Sequence, residues 1–258
     1  MRSSKTLKKL RAGEPVRMCG LGYHAPSFIH HAAAAGYDCI WLDLEHHLIS
    51  ENDVRTLLLH FHLADIDCML RPATLEKSRL YRYLEDGATG LMIPHVSTPE
   101  KAKQLVDAVK FPPLGDRGLD GAGLDGNYFL GDIDEYIRAA NEETFLVVQI
   151  ETQQAVENAD AIASVEGVAA LFVGPGDLGM RYRTKQSSIS VDQAMETVAA
   201  AAKKHQIAWG CPAATLDVMQ KYYQMGARLL AHGNDFMALK SMLEESVGDY
   251  DAMMGAES

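Results

Sequence analysis

The stretch FLVVQIETQQAVENADAIASVEGVAALFVGPGD, residues 145–177, decides the architecture. It opens on a short apolar run, Phe145–Ile150, rich in β-branched residues and bounded by polar ones. That pattern predicts a strand buried on both faces. Residues 152–165 then carry apolar side chains at helical spacing, and a second apolar run follows at 169–173. Strand, helix, strand is the crossover unit that joins parallel strands. Each strand also runs into an acid: Glu151 directly follows the first, and Gly174-Pro-Gly-Asp177 follows the second. A carboxylate at the rim of an apolar core is costly without compensation from an arginine, a lysine or a divalent metal.

The alternation continues in both directions. Further strands are expected at 16–21, 39–44, 68–70, 90–93, 207–210 and 228–231, and further helices at 50–64, 98–110, 190–205, 215–225 and 235–247. Ser50 stands where an N-cap belongs, and Thr98-Pro99-Glu100 places proline in a first turn. Eight strands, each followed by a helix, predict an α/β fold closed into a (β/α)8 TIM barrel that occupies residues 1–258 as one domain. An open nucleotide-binding sheet is disfavoured, because Cys19-Gly-Leu-Gly-Tyr-His-Ala25 lacks the third glycine of that turn. A short N-terminal helix is expected to turn Leu7 and Leu10 inward, and the tail after Glu244 to be a helix end and a frayed terminus. The rhythm breaks at residues 111–132, a loop with six glycines. Following the fourth helix, it belongs on the N-terminal face of its own protomer. It reaches the chemistry only by wrapping an edge or entering a neighbouring subunit.

With 47% hydrophobic residues the chain can build one large core, and its formal charge of −11 argues against a nucleic-acid partner. No apolar stretch reaches transmembrane length, and the basic N-terminus has no apolar signal core. Cys19, Cys39, Cys68 and Cys211 lie in or beside strand-like runs with no Cys-x-x-Cys spacing. They are read as small buried residues of a cytoplasmic protein rather than zinc ligands or disulfides.

In such a barrel the active site forms at the carboxyl ends of the strands. There the sequence collects Asp43, Glu45, His46, His47, Arg71, His95, Gln149, Glu151, Asp177, His232, Asn234 and Asp235. Glu151 and Asp177 offer hard oxygen ligands of the kind Mg²⁺ or Mn²⁺ takes, although each alone is equally a helix N-cap. Asp43 and His46, three apart, can form a pair in which the acid fixes the imidazole tautomer. Arg71 either bridges to Glu45 or Glu85, or holds a keto or enolate oxygen.

The strings WLDLEHH (41–47), LRP (70–72), LEDGATGLMIPHV (84–96), FPPLGDRG (111–118), VVQIET (147–152) and LFVGPGDLG (171–179) resemble the HpcH/HpaI aldolases, metal-dependent class II pyruvate aldolases. The resemblance runs over nearly the whole chain. It implies a phosphoenolpyruvate/pyruvate-type barrel whose C-terminal helix is exchanged between protomers, in dimers that build hexamers. It implies that Glu151 and Asp177 bind a divalent metal (Mg²⁺ or Mn²⁺, with Co²⁺ an alternative). It further implies that Arg71 steadies the enolate oxygen and that His46, oriented by Asp43, is the base. The N–H groups of Gly176 and Asp177 would meet the pyruvate carboxylate, Gln149 would line the pocket, and Glu85 would stand for the family's usual catalytic Asp. The implied reaction is reversible cleavage of a 2-keto-4-hydroxy acid to pyruvate and an aldehyde. A CoA-ester lyase of the citrate lyase beta type and a non-catalytic keto-acid-binding barrel are the alternatives. A Schiff-base aldolase is disfavoured, because Lys77 and Lys110 fall on helical segments rather than strand ends. The chain departs from the family at His47, where a small residue is usual, and at Gly179-Met-Arg-Tyr-Arg183. Both departures concern the half of the site that selects the aldehyde.

Overall fold

The computed structural model describes residues 1–185 and 189–255. Eight parallel strands close into a barrel in sequence order: β1 (Val16–Leu21), β2 (Cys39–Asp43), β3 (Asp67–Arg71), β4 (Gly90–Ile93), β5 (Phe145–Ile150), β6 (Val168–Val173), β7 (Ala208–Pro212) and β8 (Leu229–Asn234). The helices are α1 (Lys5–Arg11), α2 (Pro26–Ala34), α3 (Glu51–Leu63), α4 (Lys77–Glu85), α5 (Pro99–Val109), α6 (Ile133–Glu143), α7 (Gln153–Glu157), α8 (Ala159–Ala163), α9 (Pro175–Lys185), α10 (Val191–His205), α11 (Leu216–Gln224) and α12 (Asp235–Met254). Ser50, Thr98, Thr152, Ser190 and Thr215 each cap a helix by accepting the N–H three residues on. Among the described residues no helix is long and apolar enough to cross a membrane.

The two-residue period of the strands sorts the side chains. Ile40 and Leu42, Cys68 and Leu70, and Leu146, Val148 and Ile150 pack outward under the helices. The alternate set, Val16, Met18, Cys39, Trp41, Met69, Met92, Phe145, Val147, Ala170 and Phe172, fills the interior. Its next members towards the carboxyl end are Asp43, Arg71, Gln149 and Glu151, so the barrel core grades into a polar layer at its mouth. At the other end α1 is the plug. Leu7 packs into the interior cluster with Leu10 beside it. The fully buried Asp67 accepts from Arg2 Nη2 (2.8 Å), Ser4 Oγ (2.8 Å) and the Thr6 N–H (2.7 Å).

Two expectations are corrected here. The helix expected over 152–165 is two short helices meeting at Asn158, which leaves helical geometry (ψ 6°) while its side chain donates to the Ser97 carbonyl. The tail after Glu244 continues α12 to Met254, and residues 256–258 of it lie outside those described. None of the α12 side chains is buried. Phe236, Leu239, Leu243, Val247 and Tyr250 form an apolar stripe at helical spacing, each at least half exposed or nearly so. Between α2 and α11, where the outer ring would receive a last helix, a cleft of about 560 Å³ is lined by Val16, Tyr37, Met219, Tyr223 and Leu230. The 111–132 loop lies at the N-terminal end, as expected. Arg117 donates there to Asp125 (2.9 Å) and to the Tyr136 hydroxyl (3.0 Å), and the Asp125 N–H donates to the Glu85 carbonyl.

Candidate active site at the mouth of the barrel

Arg71 organises the polar layer. Asp43 lies opposite it in the β2–β3 register and takes it bidentately, with Nε to Oδ1 at 2.9 Å and Nη2 to Oδ2 at 2.7 Å. Nη1 lies 3.0 Å from Glu45 Oε2 and 3.4 Å from Gln149 Oε1. The guanidinium rests on the Trp41 ring, 4.5 Å from its centroid. A guanidinium has five N–H donors, and these contacts leave one Nη2 hydrogen to meet a further oxygen. Burial alone would push the Asp43 carboxyl up, but the hydrogen bonds and charge of Arg71 outweigh it and hold the group below its ordinary value.

Glu151 is the other centre. It is 3% exposed, yet no lysine or arginine pairs with it among the described residues. Gln149 Nε2 donates to its Oε1 (3.1 Å). Oε2 faces both the His95 N–H (3.1 Å) and His95 Nδ1 (3.2 Å). Burial raises its carboxyl above the ordinary value. The His95 contacts oppose this, and the charges of Glu45 and Asp177 add to it. Gly174 lets the exit of β6 pass close by, since a Cβ there would fall 2.5 Å from Glu151 Oε1. Asp177, in the first turn of α9, is more open and lies 3.5 Å from Arg181 Nη2. Leu178 is the first α9 residue whose N–H reaches a helical carbonyl, that of Gly174. The N–H groups of Gly176 and Asp177 have no backbone partner among the described residues, which suits an anion.

The HpcH/HpaI aldolase/citrate lyase family model matches residues 18–241. A hydroxypyruvate/pyruvate aldolase from Pseudomonas aeruginosa is 33% identical over 248 residues, covering 94% of this chain and 91% of the relative. A 2-keto-3-deoxy-L-rhamnonate aldolase from Salmonella paratyphi B is 32% identical over 229 residues, covering 88% and 85%. The crystal structure of an HpcH/HpaI aldolase from Desulfitobacterium hafniense DCB-2 matches with a TM-score of 0.87 at 29% identity, over 95% of each chain. This chain belongs to the HpcH/HpaI aldolase/citrate lyase family.

Seen as an HpcH/HpaI barrel, the chain brings Asp43, Arg71, Gln149 and Glu151 into one contact network, with Gly176 and Asp177 on the adjoining strand end. It does not join His46 to Asp43. Both Asp43 oxygens are engaged by Arg71, and Oδ1 also accepts the Glu45 N–H (3.0 Å). Past the end of β2 the chain is loop, so a spacing of three no longer stacks two side chains. His46 instead turns outward, 60% exposed at its side chain, with Nε2 3.7 Å from Glu45. Of Arg71's two expected bridging partners Glu45 is the one in contact. Glu85, expected among the catalytic residues, ends α4 at the opposite face of its own barrel. It packs there beside the 111–132 loop, and burial pushes its carboxyl up to about 7.

Two residues gain importance that their sequence positions only hinted at. His95 follows β4 with a positive φ of 55°, which aims both its N–H and its ring at Glu151. Glu45 links Arg71, His95 (Nε2, 3.4 Å) and His46. A divalent cation fits the chemistry of this end of the barrel. Glu151 is buried, accepts from neutral donors and a histidine, and lies within the field of two other acids. No three His, Cys, Asp or Glu side chains are arranged to enclose an ion among the described residues. Two carboxylates from adjacent strand ends still match a cation that completes its shell with water and substrate oxygens.

Proposed function

We propose that the chain is a divalent-metal-dependent pyruvate aldolase that reversibly cleaves 2-keto-4-hydroxy acids to pyruvate and an aldehyde. The observation that carries this is the setting of Glu151: a buried carboxylate that no lysine or arginine pairs with among the described residues, with Glu45 and Asp177 adding negative charge, next to a fully oriented arginine. The names of the curated relatives point to the same chemistry. Glu151 and Asp177 would hold Mg²⁺, Mn²⁺ or Co²⁺, which when bound supplies Lewis-acid polarisation of the keto oxygen.

The chain's own residues do the rest. The remaining Nη2 hydrogen of Arg71 meets the oxygen on which enolate charge develops, and Trp41 and Asp43 hold the guanidinium oriented for it. The N–H groups of Gly176 and Asp177 take the pyruvate carboxylate. Gln149, holding both Arg71 and Glu151, keeps the two charge-bearing groups in register. His46, with Glu45 3.7 Å from its Nε2, takes the C4 hydroxyl proton. Glu85 and the Asp116-Arg117-Gly118 segment contribute to a site only across a subunit boundary. That fits a homo-oligomer, a dimer-based hexamer, in which α12 leaves its own barrel and fills the partner's α2–α11 cleft. The enzyme works on small molecules in the cytoplasm. Four buried cysteines free of disulfides accord with a reducing compartment.

The test is pyruvate release from 2-keto-3-deoxy sugar acids and from 4-hydroxy-2-oxoheptanedioate, before and after exhaustive chelation. Cleavage that is lost with chelator and restored by Mg²⁺ or Mn²⁺ is the expected result. Activity that survives chelation would sink the metal mechanism, and tight pyruvate binding without turnover of any keto acid would mark a binding barrel.

A further inference from the structure

Across the mouth from Glu151, between the ends of β1, β2 and β8, lies a cavity of about 200 Å³ whose lining includes Gly20, Gly22, Trp41, Asp43, His47 and Phe236. It joins the site already described through one unbroken set of contacts: Asp43 to Arg71 (2.7 Å), Arg71 to Gln149 (3.4 Å) and Gln149 to Glu151 (3.1 Å). For a substrate whose keto-acid oxygens sit at the Glu151 and Arg71 end, this cavity offers space to its remaining carbons.

His47 shapes that space. Its ring lies flat against Gly22: a Cβ there would fall 2.7 Å from the ring's Cε1 and Nε2. The same ring meets Tyr23 edge-on, with centroids 6.1 Å apart at 68°. Nε2 is 3.8 Å from Asp43 Oδ2, within reach of its field but too far for a hydrogen bond. Neither ring nitrogen has a hydrogen-bond partner among the described residues, although the side chain is only 37% exposed. Asp235, the neighbouring acid, is already taken by the Gly22 and Tyr23 N–H groups. A half-buried imidazole held in place by packing at the edge of a small cavity can offer its ring nitrogens to a polar group that enters there.

We propose that His47 is the specificity-determining residue for the aldehyde half of the reaction. It hydrogen-bonds an oxygen on the carbon next to the aldehyde carbonyl, and so selects 2-hydroxy aldehydes over unsubstituted alkyl aldehydes. This rests on the aldolase reading above and deepens it. His47 is separate from the proton transfer, which belongs in that reading to His46, the preceding residue of the same loop.

The experiment compares pyruvate addition to glycolaldehyde and to acetaldehyde, which differ by that one oxygen. Exchange of the pyruvate methyl protons with D₂O is followed alongside, a half-reaction in which no aldehyde takes part. In His47→Ala the glycolaldehyde-to-acetaldehyde ratio of kcat/KM falls about tenfold or more, the size expected when a hydrogen bond to a substrate hydroxyl is lost. His47→Gln, which keeps a donor and an acceptor, restores part of the ratio. Gly22→Ala, which displaces the ring without removing it, lowers the ratio in the same direction. An unchanged ratio in His47→Ala overturns the proposal. So does an equal loss for both aldehydes, or loss of methyl-proton exchange in that variant, since each marks a structural or general catalytic role. Wild-type protein that shows no metal-dependent exchange would instead overturn the aldolase reading itself.

Discussion

Glu151 illustrates how a single side chain can state a requirement that the rest of the chain leaves open. Its carboxyl is buried and raised, its hydrogen-bond partners are an amide and a histidine, and further negative charge stands close by. Glu151→Ala and Asp177→Ala should each abolish measurable Mn²⁺ binding by titration calorimetry, and undiminished affinity in either variant would refute the ligand assignment. The residues Asp43, Arg71, Gln149 and Glu151 were legible because each is a polar residue at the carboxyl end of an apolar strand, the end where a barrel of this kind builds its site. The partner of Asp43 was not. The sequence offers His46 at a spacing of three, but direction is lost once the strand ends, and the arginine opposite in the register takes both oxygens. Glu85 carries a pH prediction. Burial pushes its carboxyl up to about 7, with Asp125, Asp120 and Asp86 adding to the shift and Arg117 opposing it. The native state therefore holds a proton that the unfolded chain has already released, so its contribution to stability falls as pH rises from the ordinary glutamate range towards 7. Urea unfolding at pH 5 and pH 8 should show Glu85→Gln losing part of that decline. An identical pH slope in the variant and the wild type would contradict the assignment.

At the scale of elements, strand positions were readable to within a residue or two at most ends, because eight apolar runs bounded by turn residues admit few other readings. Helix continuity was less so. Residues 152–165 have the right periodicity for one helix, yet Asn158 breaks it by a side-chain bond to a carbonyl that sequence spacing does not reveal. The extent of α12 was hidden for the opposite reason: an acidic tail looks frayed, but helix propensity continues through it to Gly255, which closes it in the left-handed conformation. The N-terminal plug was visible only as two leucines, Leu7 and Leu10. Its polar contribution was not visible: Arg2, Ser4 and Thr6 each donate to Asp67. Removing residues 1–11 would leave that carboxylate without those partners, and the loss of one side of a buried ion pair costs about 3–5 kcal/mol. The deletion should lower the urea midpoint accordingly. A midpoint unchanged from wild type would show that the plug is an ornament of the barrel rather than part of its stability.

For the whole molecule, the barrel is closed but its outer ring is not. One helix carries a solvent-exposed stripe of Phe236, Leu239, Leu243, Val247 and Tyr250, and an apolar-lined cleft of about 560 Å³ lies between α2 and α11. Water does not tolerate so long an apolar stripe in an isolated molecule without cost, since its half-exposed aliphatic and phenylalanine members each forgo about half of the roughly 1.5–3 kcal/mol that full burial is worth. A second protomer resolves both at once if each α12 enters the other's cleft, a two-fold arrangement in which the same surfaces serve both sides. The double substitution Leu243→Glu/Val247→Glu places two charges in the middle of the stripe. It lies outside the barrel, so circular dichroism should show the secondary structure retained. Sedimentation velocity should show the assembly shifted to monomer, more completely as protein concentration falls. If the variant sediments as the wild type does, α12 is not the element that joins the protomers. If it dissociates, pyruvate methyl-proton exchange becomes the measure of whether the mouth of a lone barrel is complete, or whether Glu85 and the 111–132 loop must arrive from a neighbour.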